Sequence, residues 1–174
     1  AALEMSGKKA QAFTFLEKHV QAHSNDIPSA MLLAERQIGK DRAAAIKTYE
    51  QVLTKTPDNF VVLNNLAYLA FEDKNLTRAE ELAKKAVSLQ RENADAVDTL
   101  AQIYVAKGDK AAALKLYEEV SARPIANDDV YLNHVSVLLE LDKKALASRK
   151  LASREFKSEA AKQRAESLKQ QYGL

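Results

Sequence analysis

Residues 94–127 read ADAVDTLAQIYVAKGDKAAALKLYEEVSARPIAN, and this stretch decides the fold. Its apolar and small residues recur at spacings of three and four on both sides of a polar break at residues 107–110. That spacing predicts two amphipathic helices joined by a short turn. Gly108 can adopt the left-handed conformation that ends a helix. The stripe consists of Val97, Leu100, Ala101 and Tyr104 in the first helix, and of Ala113, Tyr117 and Val120 in the second.

The same arrangement recurs along the chain with a period of 34 residues. A fixed period of this length is typical of stacked helical repeats and not of a closed globular core. Four asparagines keep the interval, and each is expected to cap the first helix of a repeat by accepting hydrogen bonds from its first turn. The asparagines are Asn25, Asn59, Asn93 and Asn127, and a parallel row of small residues is formed by Ala12, Ala45, Ala79, Ala113 and Ala147.

In this register the chain resembles the tetratricopeptide repeat (TPR) family over nearly its whole length. Residues 94–127 carry the clearest match, through Leu100, Ala101, Tyr104, Gly108, Asp109, Ala113 and Tyr117. The resemblance implies an all-α fold, a right-handed superhelical solenoid of antiparallel helix pairs with a C-terminal capping helix. It implies a single array divided into a partial repeat at 1–25, repeats at 26–59, 60–93 and 94–127, an atypical last repeat at 128–157, and a capping helix at 158–174.

The outer repeats depart from the TPR pattern. Leu33 stands where a small residue is expected and Arg36 where an aromatic residue is expected, so we expect the pair at 26–59 to be shifted in register. His134 and Arg154 replace an expected leucine and an expected alanine. Terminal repeats are commonly atypical because one of their faces meets water.

The first residues also fit a repeat, but only its second part. Gly7 and Ala12 occupy positions 15 and 20 of the repeat, so its first helix would begin before residue 1. We therefore expect the chain to be a fragment of a larger bacterial protein, in which a signal peptide, a lipid anchor or further repeats could precede it.

The composition favours a binding protein over an enzyme. The chain has no cysteine, which excludes disulfides, thiolate catalysis and cysteine-based metal sites. Its four glycines form no phosphate-binding loop, and no Ser–His–acid arrangement occurs at a recognisable spacing. We predict no enzymatic activity, no cofactor and no metal. His19 and His23 could share a metal on one helix, but we interpret them as residues near a helix C-terminus, where the helix dipole favours them.

The TPR resemblance also implies where a partner would bind. In this family, positions 2, 5, 6, 9 and 13 of each first helix face a concave groove. Here these positions carry acidic and amide side chains without lysine or arginine, so we expect no carboxylate clamp and a neutral or basic protein segment as the partner. We expect Ala113→Leu to destabilise the array and Asp98→Lys not to do so. The candidate groove residues are Asn64, Asn65, Tyr68, Glu72, Asp95, Asp98, Thr99, Gln102, Asp129 and Asn133.

Several alternatives to groove binding stay open at this point. An array of this kind can bind by an edge or by its convex face, or can regulate an enzyme whose catalytic domain lies outside this chain. The segments at 63–68, 97–101 and 137–145 resemble the C-terminal repeats of bacterial TPR lipoproteins linked to PEP-CTERM protein sorting. That resemblance implies a periplasmic, envelope-associated protein, whereas the residues themselves fit either periplasm or cytoplasm and leave the oligomeric state undecided.

Charge is unevenly distributed, although the net charge of the chain is only +2. Residues 143–174 hold nine Lys and Arg against three Glu, a net charge of +6. This basic pole would suit a nucleic acid or an anionic surface. Because few aromatic residues accompany the basic ones, we interpret the pole as solvated charge and predict no nucleic-acid partner. No apolar run is long enough to span a bilayer.

Overall fold

The structure, a computed structural model, describes residues 9–121 and 124–174. Within these two ranges the chain forms ten α-helices and no β-strand, which confirms the predicted all-α fold. The helices are α1 (Lys9–Ala22), α2 (Ile27–Ile38), α3 (Arg42–Lys55), α4 (Phe60–Glu72), α5 (Leu76–Leu89), α6 (Ala94–Ala106), α7 (Lys110–Val120), α8 (Asp128–Glu140), α9 (Lys144–Ala152) and α10 (Glu159–Tyr172).

The helices pack as consecutive pairs, α2 with α3, α4 with α5, α6 with α7 and α8 with α9. The first helices of neighbouring pairs also touch, because α4 contacts α6 and α6 contacts α8. Helix α10 continues this row by packing on α8, where it buries Ala161 and Ala165. It therefore occupies the place that the first helix of another pair would take, and it covers the end of the stack.

Alanines at equivalent positions allow the two helices of a pair to approach closely. Ala45, Ala79, Ala113 and Ala147 have no exposed surface, whereas Ala12 on α1 is only partly buried. A larger side chain at a fully buried alanine would push the paired helices apart, at a cost of about 1–3 kcal/mol. The burial of Ala113 gives the expected effect of Ala113→Leu its physical basis.

Three of the four predicted asparagine caps are confirmed. The side chains of Asn59, Asn93 and Asn127 accept hydrogen bonds from first-turn N–H groups of α4, α6 and α8. The prediction for Asn25 is wrong, because Asp26 caps α2 by accepting a hydrogen bond from the Ser29 N–H at 3.2 Å.

The physical reason is the register of α2, whose buried stripe falls one residue later than the 34-residue spacing indicates. Ala34, and not Leu33, is the small residue without exposed surface. The helix therefore begins after Asp26, whose carboxylate caps as well as an asparagine does. This displacement is the register shift that Leu33 and Arg36 indicated.

The turns within three helix pairs share a left-handed residue. Gly108 has φ 85°, and the residues 34 positions before and after it, Lys74 and Asp142, have φ 61° and 57°. Only the glycine could be identified from sequence, since Lys and Asp do not indicate a positive φ. The corresponding turn expected at Gly7 lies outside the described residues.

Arg154 has a structural role that explains its departure from the repeat pattern. Its guanidinium donates hydrogen bonds to the Asp128 carboxylate at the start of α8 and to the main-chain carbonyls of Ile125 and Ala126. It also lies 4.5 Å from the centre of the Tyr131 ring. Arg154 therefore fastens the chain after α9 to the segment that leads into α8.

Candidate binding groove

The ten candidate residues lie on the row of first helices, four on α4, four on α6 and two on α8. Their exposure divides them into two sets. Tyr68, Glu72, Asp95 and Asp129 are exposed, and Asn64, Asn65, Asp98, Thr99, Gln102 and Asn133 are partly buried.

A hydrogen-bonded network joins the partly buried residues of α6 and α8. The Tyr117 hydroxyl, which extends from α7, donates to Asp98 Oδ1 at 2.5 Å and accepts from Gln102 Nε2 at 3.1 Å. Asn133 Nδ2 donates to both Asp98 oxygens, at 2.9 and 3.0 Å. These contacts hold three successive helices together, so Asp98 is a packing residue.

Burial dominates the electrostatics of this network. It raises the pKa of Asp98, although hydrogen bonds from Tyr117 and Asn133 oppose the increase. Burial and the adjacent Asp98 carboxylate also raise the pKa of the Tyr117 hydroxyl. These contacts favour the opposite expectation for Asp98→Lys: an ammonium cannot accept these bonds and would be desolvated, so we expect the substitution to destabilise the array.

The capping helix contributes a basic side chain that the first-helix positions do not show. Arg164 of α10 donates to Asn133 Oδ1 at 2.5 Å, and its guanidinium lies 3.5 Å from Asp129 Oδ1. The α8 end of the groove therefore contains an arginine, which corrects the expectation of a groove without basic residues. The sequence predicts that α10 covers the last repeat, and a helix in that place brings its own side chains, Arg164 among them, to the α8 end of the groove.

The polar residues of α4 are less completely bonded. Asn65 Nδ2 donates to the Tyr49 hydroxyl of the preceding pair at 2.9 Å, whereas the Tyr117 hydroxyl bonds Asp98 and Gln102 of its own pair. The helix pair between them, α4 with α5, has Ala83 at the repeat position that Tyr49 and Tyr117 occupy in their own pairs. Asn64, the counterpart of Asp98, has its Oδ1 atom buried without a hydrogen-bond partner among the described residues.

Two exposed aliphatic residues on the first helices were missed from sequence. Leu32 on α2 and Val61 on α4 are each 42% exposed, and Tyr68 on the same row is 51% exposed. In the observed register of α2, Leu32 occupies the repeat position that Asn65 occupies on α4. The one-residue error at Asn25 concealed it, whereas Val61 occupies position 2 and could have been recognised.

The two N-terminal histidines join α1 to α2. His19 Nε2 lies 2.9 Å from Asp26 Oδ2, and the rings of His19 and His23 stack with centres 4.5 Å apart. The hydrogen bonds from His19 and Ser29 lower the pKa of Asp26 to about 2. In the ranges 9–121 and 124–174, no group of three or more His, Asp or Glu side chains could hold a metal ion.

Two cavities of the described chain lie away from the ten candidate residues. One of about 560 Å³ is lined by α1, α2 and α3, beside the buried hydrogen bond from Thr48 to Gln37. A second, of about 430 Å³, lies next to Arg154 and Tyr131. A row of helices that is open along its length suits an extended or helical segment better than a small molecule, which is usually bound in a concave pocket.

Comparison with known proteins gives a sequence match within the chain. Residues 70–131 match a family described as Tetratricopeptide repeat. This region extends from α4 through α5, α6 and α7 into α8. The chain has a TPR-type fold. No curated protein sequence matches it.

Solved structures show the same TPR-type architecture at low sequence identity. PilF of Pseudomonas aeruginosa is 18% identical with a TM-score of 0.75, over 99% of this chain and 88% of that one. A crystal structure of MamA is 15% identical with a TM-score of 0.73, over 97% and 95% of the two chains. A Podosopora anserina protein with nearly identical TPR-like repeats is 19% identical with a TM-score of 0.69, over 87% of each chain.

The TPR-type scaffold is consistent with a role in protein interaction, and the fold is generally non-catalytic. None of the helices in the described ranges is both long and apolar enough to cross a membrane.

Proposed function

We propose that this TPR array is a non-catalytic scaffold that binds a segment of a partner protein along the groove formed by its first helices. One observation carries the proposal: α4, α6 and α8 touch one another in sequence, so their outward positions form one continuous strip. Packed helices lie about 8–10 Å apart. Helix α10 packs on α8 and adds a fourth helix to this row, so the strip is about 30 Å long, which an extended segment of roughly ten residues would span.

The charge of the strip favours a neutral or basic segment. Glu72, Asp95 and Asp129 are exposed on it, and Arg164 reaches only its α8 end. A complementary basic segment would be attracted to these carboxylates, while an acidic one would be repelled. Among the ten candidate residues, the exposed ones would supply the contacts with the segment: Tyr68, Glu72, Asp95 and Asp129.

Peptide selection tests the proposal. Random peptides of roughly ten residues are selected on the immobilised chain, and the Kd of an enriched peptide is compared for three proteins: the unmodified chain, Tyr68→Ala and Leu146→Ala. Leu146 is a matched control, since it is 41% exposed on α9, a second helix. We expect Tyr68→Ala to raise the Kd about tenfold, or about 1.4 kcal/mol, and Leu146→Ala to leave it unchanged. The reverse pattern would place binding on the other face and refute the proposal.

The basic pole at 143–174 has internal partners that argue against a nucleic-acid site. Arg154 bonds Asp128, Arg164 bonds Asn133, and Lys144 donates to the Tyr172 carbonyl at 3.1 Å. Lys162 and Lys169 each pair with a glutamate three residues before them. We expect peptide affinity to fall modestly with salt, whereas a phosphate-bound complex would weaken steeply.

A second candidate function is a regulatory or targeting array within a larger envelope-associated assembly linked to PEP-CTERM sorting or exopolysaccharide. The similarity of residues 63–68, 97–101 and 137–145 to such lipoproteins supports it. The other form of this second candidate is a regulatory array of an enzyme whose catalytic domain lies elsewhere in the polypeptide. The full-length gene sequence and fractionation of the native cell test it: a periplasmic lipoprotein supports the first form, and a cytoplasmic enzyme supports the second.

A further inference from the structure

The groove has two chemically different halves. The groove-facing positions of α2 and α4, here called the α2–α4 half, expose the aliphatic side chains of Leu32 and Val61 and the ring of Tyr68. The carboxylates of Glu35 and Glu72 are also exposed there. Neither carboxylate has an ion pair with a described residue, so this half combines uncovered apolar surface with free negative charge.

The corresponding positions of α6 and α8, the α6–α8 half, are occupied by internal contacts. Asp98 accepts three hydrogen bonds from Tyr117 and Asn133, and Asn133 accepts one from Arg164. Asp95 Oδ1 accepts from Asn127 Nδ2 at 2.9 Å. A partner would have to break these bonds to gain new ones, so little net affinity would result.

Asn64 adds a specific polar feature to the α2–α4 half. Its Oδ1 atom is buried without a partner, because Ala83 takes the place of the tyrosine whose hydroxyl serves Asp98 one repeat later. Buried polar atoms are nearly always hydrogen-bonded in native proteins, and an exception calls for an explanation. The Asn64 side chain as a whole is only partly buried, so a rotation of its amide toward the groove would bring this oxygen to a donor of a bound segment.

We infer that the partner segment docks on the α2–α4 half and presents an aliphatic or aromatic side chain next to a lysine or arginine. This inference rests on the proposed function and specifies both the location and the chemistry of binding. The apolar side chain covers Leu32, Val61 and Tyr68, and the basic group lies between the carboxylates of Glu35 and Glu72. An N–H group of the segment donates to Asn64 Oδ1 once the amide has rotated toward the groove.

The exposed apolar side chains and the negative charge of the α2–α4 half favour the same kind of segment. Desolvated aromatic and aliphatic anchors supply most of the affinity in protein interfaces, and Tyr68 is the largest exposed side chain on the strip. Burial is the main cause that raises the pKa of the Tyr49 hydroxyl, and the Glu35 carboxylate adds to the increase because it is near that hydroxyl. A basic group would therefore be attracted here, whereas an acidic one would be repelled.

Three fluorescein-labelled probe peptides of equal length test the chemistry. The first combines leucine and phenylalanine with lysine, the second replaces its lysines with glutamate, and the third replaces its apolar residues with serine and glutamine. Fluorescence anisotropy with the full chain gives each Kd. We expect the apolar–basic peptide to bind at least about tenfold more tightly than either other peptide. Equal binding of the apolar–acidic peptide would overturn the inference.

A matched pair of charge reversals tests the location. Glu72 and Glu140 stand at the same repeat position, 68 residues apart, on α4 and on α8. We expect Glu72→Lys to weaken the apolar–basic peptide about tenfold and Glu140→Lys to change its Kd by less than about twofold. Asn64→Ala should weaken it as well, without lowering the melting temperature, since no internal hydrogen bond is lost.

The outcomes separate this inference from the function on which it rests. If peptides bind and only Glu140→Lys weakens them, the segment occupies the α6–α8 half, so the inference fails while the proposed groove function stands. If peptides bind but Glu72→Lys, Asn64→Ala, Tyr68→Ala and Glu140→Lys all leave the Kd unchanged, both fail.

Discussion

At the scale of single residues, Asp98 shows how one side chain can be misinterpreted from its repeat position. Position 5 of a first helix indicates a groove-facing residue, and an aspartate there suggests free negative charge. The structure instead places its carboxylate against the Tyr117 hydroxyl and the Asn133 amide. The repeat pattern specifies which way a side chain points. The hydrogen bonds that Asp98 accepts depend on residues 19 and 35 positions later in the chain.

We predict that Asp98→Lys lowers the free energy of unfolding by about 3 kcal/mol or more, because it leaves the donors of Tyr117 and Asn133 unpaired and buries an ammonium. Glu72→Lys makes the same change of charge on an exposed residue and should alter stability by no more than about 0.5 kcal/mol. Urea unfolding of both variants measures the difference. Equal stabilities would mean that the network contributes nothing to the fold.

His134 gives a prediction on pH dependence. The side chain is 2% exposed and stacks on Tyr117 with ring centres 5.1 Å apart. Burial, with a smaller effect of the Lys150 ammonium, lowers the pKa of His134 to about 4 from its ordinary value of 6.5. Below pH 6.5 the unfolded chain therefore binds a proton that the folded chain does not, so stability falls as the pH decreases.

We expect protonation of His134 in the unfolded chain to lower the free energy of unfolding by up to about 3 kcal/mol as the pH falls from 6.5 to 4. His134→Leu restores the residue type expected in the repeat and should abolish this part of the loss. Urea unfolding of both proteins at pH 7, 5.5 and 4.5 provides the comparison. If both lose the same stability over this range, His134 is not held neutral by the fold.

At the scale of helices, existence and order could be predicted from the apolar spacing, whereas helix boundaries depended on caps. The 34-residue spacing placed the caps of α4, α6 and α8 correctly. It failed at α2, where Asp26 follows Asn25 directly and both are good capping residues. Only the buried stripe through Ala30 and Ala34 distinguishes them, and that stripe shows the shift.

This correction gives a direct comparison of two adjacent residues. We predict that Asp26→Ala destabilises the chain by about 1–2 kcal/mol, because α2 loses its cap, whereas Asn25→Ala changes stability by no more than about 0.5 kcal/mol. Thermal or urea unfolding measures both. A larger loss at Asn25 would restore the uniform asparagine register and contradict the observed start of α2.

At the scale of the whole molecule, the stacked architecture was predictable because each helix pair buries its apolar face only against neighbouring pairs. The general position of the groove follows from the same repetition. What could not be predicted is how the two halves of the groove differ. That difference arises where the repeats are unlike one another, at Leu32, Val61, Ala83 and Arg164, and repeat averages conceal it.

The central claim is that the row of first helices is the binding surface of this scaffold. The most direct measurement is the change in backbone amide chemical shifts of the isotopically labelled full chain as the apolar–basic peptide is added. We predict saturable changes in α2 and α4 that decrease toward α8, with few in the second helices α3, α5, α7 and α9. Changes concentrated in the second helices, or in the basic pole at 143–174, would contradict the account.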